Sequence, residues 1–380
     1  MKINQAEKPL HKTTLNEDRE KQAAQTTQLA LKEMQRKYQK MLAQLNIADR
    51  LVDMANEYVT AFPAAKSKPR QFKKSGSGST ESAVLVLSDT HIGKKVYRSQ
   101  TLGFGNYNFN IFADRLYFLE DRVRSILNEH VTSPVDELVI FLLGDMLDGS
   151  LNHAKEVVSA MTVFDQFYAG AHCLSQAIRN MAQDVARVKV YTAVGNHTRM
   201  QNQHKMPTEQ RYSNFDHFLY ATIKAMLANQ SNVDVRLDYQ PFCYTDIKGT
   251  KIMAMHGDHL KGGDKQMGIP VHSISRQVSG LTQLYESKGL EAPHLWLSGH
   301  LHRPMELPTI KGEWIVNGAF PGDDNYALTL ASSSEPMQLF FGIHPKYRKT
   351  WEYKIKLAHA PQRTALPYEL PKELKEMIVT

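Results

Sequence analysis

The sequence predicts a layered α/β fold that is preceded by an amphipathic N-terminal helix. Two observations indicate this. From Ala83 onward, short apolar runs that suit buried strands alternate with amphipathic runs that suit helices. Before that point, residues 17–59 contain neither Pro nor Gly and are rich in Ala, Leu, Glu, Gln and Lys, a composition that favours helix.

The predicted N-terminal helix belongs to an extension over residues 1–62. Its apolar residues follow each other by steps of three and four, which keeps one face apolar and predicts a coiled-coil seam. The seam positions are Leu31, Met34, Tyr38, Met41, Leu45, Ala48, Val52, Ala55 and Val59. Because Tyr38, Ala48 and Ala55 weaken such a seam, two interpretations stay open. The helix either forms a homo-oligomer or binds a partner, or it packs on its own body.

A basic flexible linker is predicted at residues 63–82, where Pro63, Pro69 and a Ser/Gly run at 75–80 disfavour regular structure. Residues 1–80 hold 15 Lys and Arg against 8 Asp and Glu, which accounts for the whole formal net charge of +7. The body of the protein is therefore not a basic nucleic-acid-binding surface by formal charge. The linker cations either keep the linker solvated or attract a polyanion.

The composition is typical of soluble proteins. The 380 residues are 42% hydrophobic, enough for one large domain or two ordinary ones. Cys173 and Cys243 are too few for a disulfide framework, and neither a secretory signal nor a run of about 18 apolar residues is found. We therefore expect a protein of the reducing cytoplasm that has no membrane partner.

An α/β domain is expected over residues 83–360, followed by a C-terminal tail over residues 361–380. Helices are expected at residues 110–129, 155–184 and 215–228. Strands are expected at residues 84–87, 138–143, 188–194, 242–247, 251–255, 295–297, 313–316, 339–343 and 350–357. Because layered α/β proteins bind ligands at the carboxyl ends of strands, functional residues are expected directly after the strands.

Five fragments with polar side chains do follow predicted strands. They are Ser88-Asp-Thr-His91, Gly144-Asp-Met-Leu-Asp148, Gly195-Asn-His197, Met255-His-Gly257 and Gly299-His-Leu-His302. Taken singly, each fragment is more often a turn or a helix cap than a site. Taken together, they supply carboxylate, carboxamide and imidazole donors without a thiolate, which suits Mn²⁺, Fe or Zn²⁺ in an open catalytic site.

The order of these fragments resembles that of the calcineurin-like metallophosphoesterases across residues 83–320. The resemblance implies a β-sandwich flanked by helices and hydrolysis of a phosphoester with two divalent metal ions, Mn²⁺ before Fe or Zn²⁺. The ligands that it implies are Asp89, His91 and His302 for one metal, Asn196, His256 and His300 for the other, and Asp145 as the bridge. It also implies that His197 protonates the leaving oxygen and that Asp148 orients the His197 ring.

Two departures from the family's protein phosphatases narrow the expected substrate. Gly149 stands where those enzymes usually have Arg, and Thr198 stands where they usually have Glu, so their phosphate clamp is absent. Arg199 is the candidate contact to a phosphoryl oxygen instead. With Asn214-Phe-Asp-His-Phe218 and Val316-Asn-Gly318, the chain most resembles phage-encoded members that are often described as nucleases, which would place it in the host cytoplasm.

We therefore predict a phosphodiesterase that acts on nucleic acid or a nucleotide. Three alternatives remain open at this point. A phosphomonoesterase or protein phosphatase and a cyclic-nucleotide phosphodiesterase would keep the chemistry and change the substrate. A non-catalytic protein that binds a partner through its N-terminal helix would change the class of function.

Overall fold

A computed structural model describes residues 32, 53–64, 79–149, 161–199, 213–237, 239–260, 269–324, 327–328 and 333–379. The chain divides into two compact units, Met1–Tyr58 and Val59–Thr380. In the first unit, Lys32 and residues 53–58 are helical. Most of the predicted coiled-coil seam and all five of the linker cations at residues 66–74 lie outside the described residues.

Eleven strands form two sheets in the described part of the second unit. They are β1 (Glu81–Leu87), β2 (Val135–Leu142), β3 (Arg187–Thr192), β4 (Val233–Arg236), β5 (Cys243–Ile247), β6 (Thr250–Met255), β7 (Leu295–Ser298), β8 (Met305–Pro308), β9 (Glu313–Val316), β10 (Met337–His344) and β11 (Arg348–Lys356). The first sheet has the order β11-β10-β1-β2-β3-β4, and the second has the order β5-β6-β7-β9-β8. The α/β prediction is therefore confirmed.

The two sheets enclose a common apolar core. Val84 and Val86 of β1 and Phe141 of β2 share this core with Ile252 of β6 and Leu297 of β7. Strands β1 to β4 are parallel, as are β6, β7 and β9. The carboxyl ends of the parallel strands in each sheet therefore lie along one edge of that sheet.

The described part of this unit also contains short 3-10 and π-helical segments and five α-helices: α1 (Phe109–Ser125), α2 (Val163–Met181), α3 (Phe215–Met226), α4 (Val271–Ser287) and α5 (Lys372–Val379). Helix α4 covers the outer face of the second sheet, where Ile274 and Val278 pack in a cluster with the stacked rings of Trp296 and Trp314. No helix among the described residues is long and apolar enough to cross a lipid bilayer.

Helix α2 begins later than expected. The sequence predicted a helix from residue 155, but Thr162 is the N-cap, and its side chain forms a capping box with Asp165. A capping box satisfies backbone N–H groups that a continuing helix would bond to its own carbonyls, so it defines a start. The part of that prediction over residues 155–160 lies outside the described residues.

Residues 361–379, which the sequence predicts as a tail, contact the body of the second unit. Tyr368 donates a hydrogen bond to Glu120 of α1 at 3.0 Å. The Gln176 side chain of α2 accepts one from the backbone of Glu369 at 2.9 Å. Leu374 of α5 is fully buried. The segment is therefore part of the packed structure.

Candidate metal centre

The polar fragments sit on a strained backbone at the ends of β1, β2 and β7. Asp89 and His91 have φ angles of 52° and 43°. Asp145 has a φ of 50°, and His300 and His302 have φ angles of 68° and 57°. This left-handed conformation costs an L-residue about 1–2 kcal/mol and persists only where the surroundings fix it. The chain leaves the extended strand conformation at these residues, and Asp89 and His91 face the same cluster.

One cluster contains Asp89, His91 and His302, whose ligand atoms all lie within 4.8 Å of one another. The His302 Nε2 atom lies 3.3 Å from Asp89 Oδ1 and 3.1 Å from His91 Nε2. Asp89 and His91 are fully buried. Two imidazole nitrogens and a carboxylate oxygen therefore face one point.

A second cluster surrounds the Nε2 atom of His256. Asn196 Oδ1 lies 3.1 Å from it, His300 Nδ1 3.2 Å and Asp145 Oδ2 3.1 Å. On the other side of the ring, His256 Nδ1 lies 2.8 Å from the backbone carbonyl of Leu143. Donation to that carbonyl would fix the tautomer that leaves the Nε2 lone pair directed into the cluster.

His197 and Asp148 lie beside both clusters. The Nδ1 atom of His197 is 3.5 Å from Asp148 Oδ1 and 3.1 Å from the Asp148 backbone carbonyl. The same carboxylate oxygen lies 3.3 Å from Nδ1 of His91. Asp148 thus faces two imidazoles at once, a contact to His91 that the sequence did not predict.

Burial and neighbouring charges set the protonation of these groups. Burial opposes ionisation of Asp89, but the hydrogen bond and charge of His302 outweigh it and lower the Asp89 pKa to about 2. Burial likewise opposes ionisation of Asp145, yet the charges of His256 and His197 hold its pKa well below the ordinary value. Both carboxylates are therefore ionised at neutral pH, as metal ligands must be.

The imidazoles divide into two kinds. Burial lowers the pKa of His91 to about 3, and burial together with the charge of His256 lowers that of His300 to about 4. These two rings are therefore neutral at pH 7. For His256, burial opposes protonation, but Asp145 raises the pKa to about 10. A divalent cation would compete with that proton for His256 Nε2.

Glycines allow the turns of the site to approach each other. A Cβ atom on Gly195 would lie 2.1 Å from Asp145 Oδ1, and one on Gly299 would lie 2.4 Å from Asp89 Oδ2. Both distances are far below a van der Waals contact, so any side chain at these positions would displace a carboxylate of the clusters. Close packing against the carboxylates therefore requires glycine in two of the five fragments, at Gly195 and Gly299.

Asp216, at the start of α3, contacts the site, although the sequence did not predict it as a site residue. Its carboxylate accepts hydrogen bonds from the backbone N–H groups of Asp145 at 2.9 Å, Met146 at 3.2 Å and Gly195 at 3.0 Å. It therefore ties the turn after β2 to the turn after β3. Burial raises the Asp216 pKa to about 6. The only signal in the sequence is its place after Asn214, the N-cap of α3, and any first-turn Asp gives that signal.

We predict that Asp216→Ala lowers the free energy of unfolding by about 2–4 kcal/mol, because three buried N–H donors lose a charged acceptor. Urea unfolding followed by tryptophan fluorescence would measure this. Asp234→Ala is the matched control, since Asp234 is exposed and paired only with Arg236 in the described structure. A loss below about 0.5 kcal/mol in Asp216→Ala, as expected for a surface site, would contradict this role.

Arg199, the predicted substrate contact, pairs with a carboxylate. Its guanidinium donates to Asp258, two residues beyond His256, and its side chain is 19% exposed. No local sequence pattern indicates this ion pair. A cleft next to it is lined by His256, Asp258, His259, His217 and Gln240. His259 Nε2 lies 2.8 Å from Gln277 of α4 and faces that helix.

The donor set fits two divalent cations. Each cluster offers only oxygen and nitrogen atoms, and each combines imidazole with at least one ionised carboxylate. Such a set suits Mn²⁺, Fe or Zn²⁺ in a catalytic site. The two clusters adjoin, because the His300 backbone N–H donates to the Asp89 carboxylate at 3.0 Å.

The model of the calcineurin-like phosphoesterase family matches residues 82–314. This match spans more than half of the chain, and the chain belongs to that family. It is a hydrolase that acts on phosphoester bonds.

Three of the solved structures that match this chain share little sequence with it. A predicted phosphoesterase from Streptococcus pneumoniae is 13% identical, with 74% of this chain and 93% of that chain covered and a TM-score of 0.33. An archaeal phosphodiesterase is 12% identical, with 72% and 99% covered and a TM-score of 0.32. A 5'-nucleotidase precursor from Thermus thermophilus is 13% identical, with 79% and 58% covered and a TM-score of 0.34. No curated protein matches the chain.

Proposed function

We propose that the chain is a two-metal phosphodiesterase whose substrate is a nucleic acid or a nucleotide. The observation that carries this proposal is the convergence of seven oxygen and nitrogen donors in two adjoining clusters, with the His197–Asp148 pair beside them. A site with these parts can bind a phosphoryl group and also protonate the oxygen that leaves it.

The proposed ligands follow the two clusters. Asp89, His91 and His302 would hold one ion, Asn196, His256 and His300 would hold the second, and Asp145 would contribute to both. Bound Mn²⁺ ions would supply Lewis acidity toward the phosphoryl oxygens. Asn196 is a neutral ligand and therefore limits the negative charge of the site. Asp148 faces Nδ1 of His91 and holds that ring in place.

His197 is the proposed general acid. Its Nδ1 atom faces Asp148, which fixes the ring and favours the protonated imidazole. Its side chain is 20% exposed, more than that of Asp145, so a substrate can reach it. As water attacks phosphorus and the bond to the leaving oxygen breaks, the proton of Nε2 passes to that oxygen, which would otherwise depart as a poorly stabilised alkoxide.

Two ion pairs next to the clusters favour a diester over a monoester. Lys94 pairs with Asp324, and Arg199 pairs with Asp258. Each cation is thus largely neutralised by its own carboxylate, so the pairs contribute little net positive charge. A phosphodiester carries one negative charge at neutral pH and needs less compensation than the nearly dianionic monoester.

A substrate panel with purified full-length protein in Mn²⁺ tests this proposal. We expect kcat/KM for bis-p-nitrophenyl phosphate to exceed that for p-nitrophenyl phosphate at least about tenfold, a difference of ~1.4 kcal/mol in transition-state stabilisation. Oligonucleotides and cyclic nucleotides are the next arms, and EDTA is the control that should remove all activity. A preference for the monoester would contradict the proposal.

A further inference from the structure

The loop of residues 95–104 leads away from the candidate site and is held firmly at its base. The backbones of Val96 and Tyr107 pair in both directions, at 2.9 and 3.1 Å. The Tyr107 hydroxyl donates to the backbone carbonyl of Thr90, and the backbone N–H of Lys94 donates to that of His91 at 3.0 Å. The loop therefore starts at the turn that carries His91.

The interior of this loop is ordered by its own hydrogen bonds. Thr101 is fully buried, and its hydroxyl accepts from the backbone N–H of Gly105 and donates to the Gly105 carbonyl, both at 2.9 Å. The N–H of Phe104 donates to the carbonyl of Thr101 at 2.9 Å. The loop thus holds its exposed side chains in a fixed arrangement, which lowers the entropic cost of binding.

Large apolar side chains of the loop nevertheless face solvent. Phe104 is 69% exposed, Tyr97 is 44% exposed and Leu102 is 85% exposed. Leu102 also has a φ of 52°, a conformation that Leu rarely adopts. These exposed side chains do not add to the apolar core. Strained backbone positions such as that of Leu102 cluster at sites that bind ligands.

The charged side chains of the loop itself all have one sign. Residues 95–113 contain Lys95 and Arg98 and no Asp or Glu, although residues 81–380 as a whole carry no formal net charge. Lys94, just before the loop, pairs with Asp324. Lys95 lies over the Tyr97 ring at 5.1 Å, and Arg98 is exposed. Aromatic faces interleaved with cations are the combination that binds single-stranded nucleic acids, by stacking on bases and by contact with phosphates.

We infer that the 95–104 loop binds single-stranded nucleic acid, with bases stacked on Phe104 and Tyr97 and phosphates in contact with Arg98 and Lys95. The inference rests on the proposed function and narrows its substrate class. A strand whose scissile phosphate lies at the clusters continues past their edge, where the loop begins. Duplex DNA does not offer its base faces to these rings, so it should bind the loop more weakly.

Binding of a fluorescein-labelled twelve-nucleotide thymidine oligomer, measured by anisotropy in EDTA, tests the inference without cleavage. We expect Phe104→Ala and Tyr97→Ala to raise the Kd of the full-length chain about 5- to 100-fold each. This is the usual effect of replacing an aromatic ring that stacks on a base with alanine. Arg98→Ala should lower the slope of log Kd against log salt by about 0.7. Ile310→Ala is the matched control, because Ile310 is 84% exposed and lies in the turn between β8 and β9.

Two outcomes overturn the inference. In one, Phe104→Ala and Tyr97→Ala bind the oligomer within about twofold of the wild type. In the other, they lose binding to vesicles of anionic phospholipid and keep binding to the oligomer, which would make the loop a membrane contact. The proposed function fails separately, when the wild type does not hydrolyse bis-p-nitrophenyl phosphate in Mn²⁺.

Discussion

Asp145→Asn is expected to lower kcat/KM for a chromogenic phosphodiester in Mn²⁺ by about 10³-fold or more, a loss of ~4 kcal/mol in transition-state stabilisation. Asp145 lies 3.1 Å from His256 Nε2, and we propose that it is shared by both ions. Asn keeps the oxygen but removes the charge on which a bridging position depends. Asn also tolerates the φ of 50° at this position, whereas Ala would add backbone strain.

The control for this prediction is Asp234→Asn, which changes an exposed carboxylate and should leave kcat/KM unchanged. Circular dichroism and thermal melting of Asp145→Asn would show that the fold is kept. His302→Ala should give a loss of the same size, because it removes a proposed ligand from the other cluster. Activity near the wild type in either variant would remove the two-metal model.

His197→Ala is expected to have the second largest effect, and the size should depend on the leaving group. For an alkoxide leaving group, as in an oligonucleotide, the loss in kcat should be about 10²–10⁴-fold, the contribution of a positioned general acid. For nitrophenol, which leaves without a proton, the loss should be about tenfold or less. Metal binding should persist, because His197 is not among the proposed ligands.

Measurement of kcat for both substrates in the wild type and in His197→Ala gives the loss for each leaving group. His359→Ala is a matched control that removes an exposed histidine outside both clusters. Equal losses on both substrates would argue against a proton transfer from His197 and for a role in positioning alone.

The residues proposed for the site could be singled out in the sequence because they follow apolar strands. Asp89, Asp145 and His300 each come just after a strand of the sandwich, and parallel strands bring their carboxyl ends to one edge. The grouping of His302 with Asp89 and of His300 with His256 also agrees with the ligand sets implied by the family. The ligand roles themselves stay a prediction.

Contacts between distant segments could not be predicted. Asp216 accepts hydrogen bonds from the turns after β2 and β3 because α3 packs against them, and no local sequence pattern indicates such a contact. The pairing of Arg199 with Asp258 has the same origin. The left-handed backbone of Asp89 and His91 could not be predicted from the sequence either, because these residue types adopt it only where tertiary structure requires it.

Among the fold elements, the weakest local signals were missed. Strand β4 is a four-residue edge strand, and β8 is an edge strand that ends at Pro308. Proline and short length are tolerated at a sheet edge, but they hide the strand pattern. Helix α4 contains Gly280 and several Ser residues, so its helix propensity is low, and packing on the second sheet stabilises it instead.

The number of Mn²⁺ ions bound per chain tests the central proposal most directly. Titration of the metal-free full-length protein, followed by calorimetry and by electron paramagnetic resonance, would give that number and report whether the ions are close neighbours. The two-metal proposal predicts two Mn²⁺ per wild-type chain with a spin-coupled signal, and loss of the coupling in Asp145→Asn. A single ion per wild-type chain, or two ions without coupling, would contradict it.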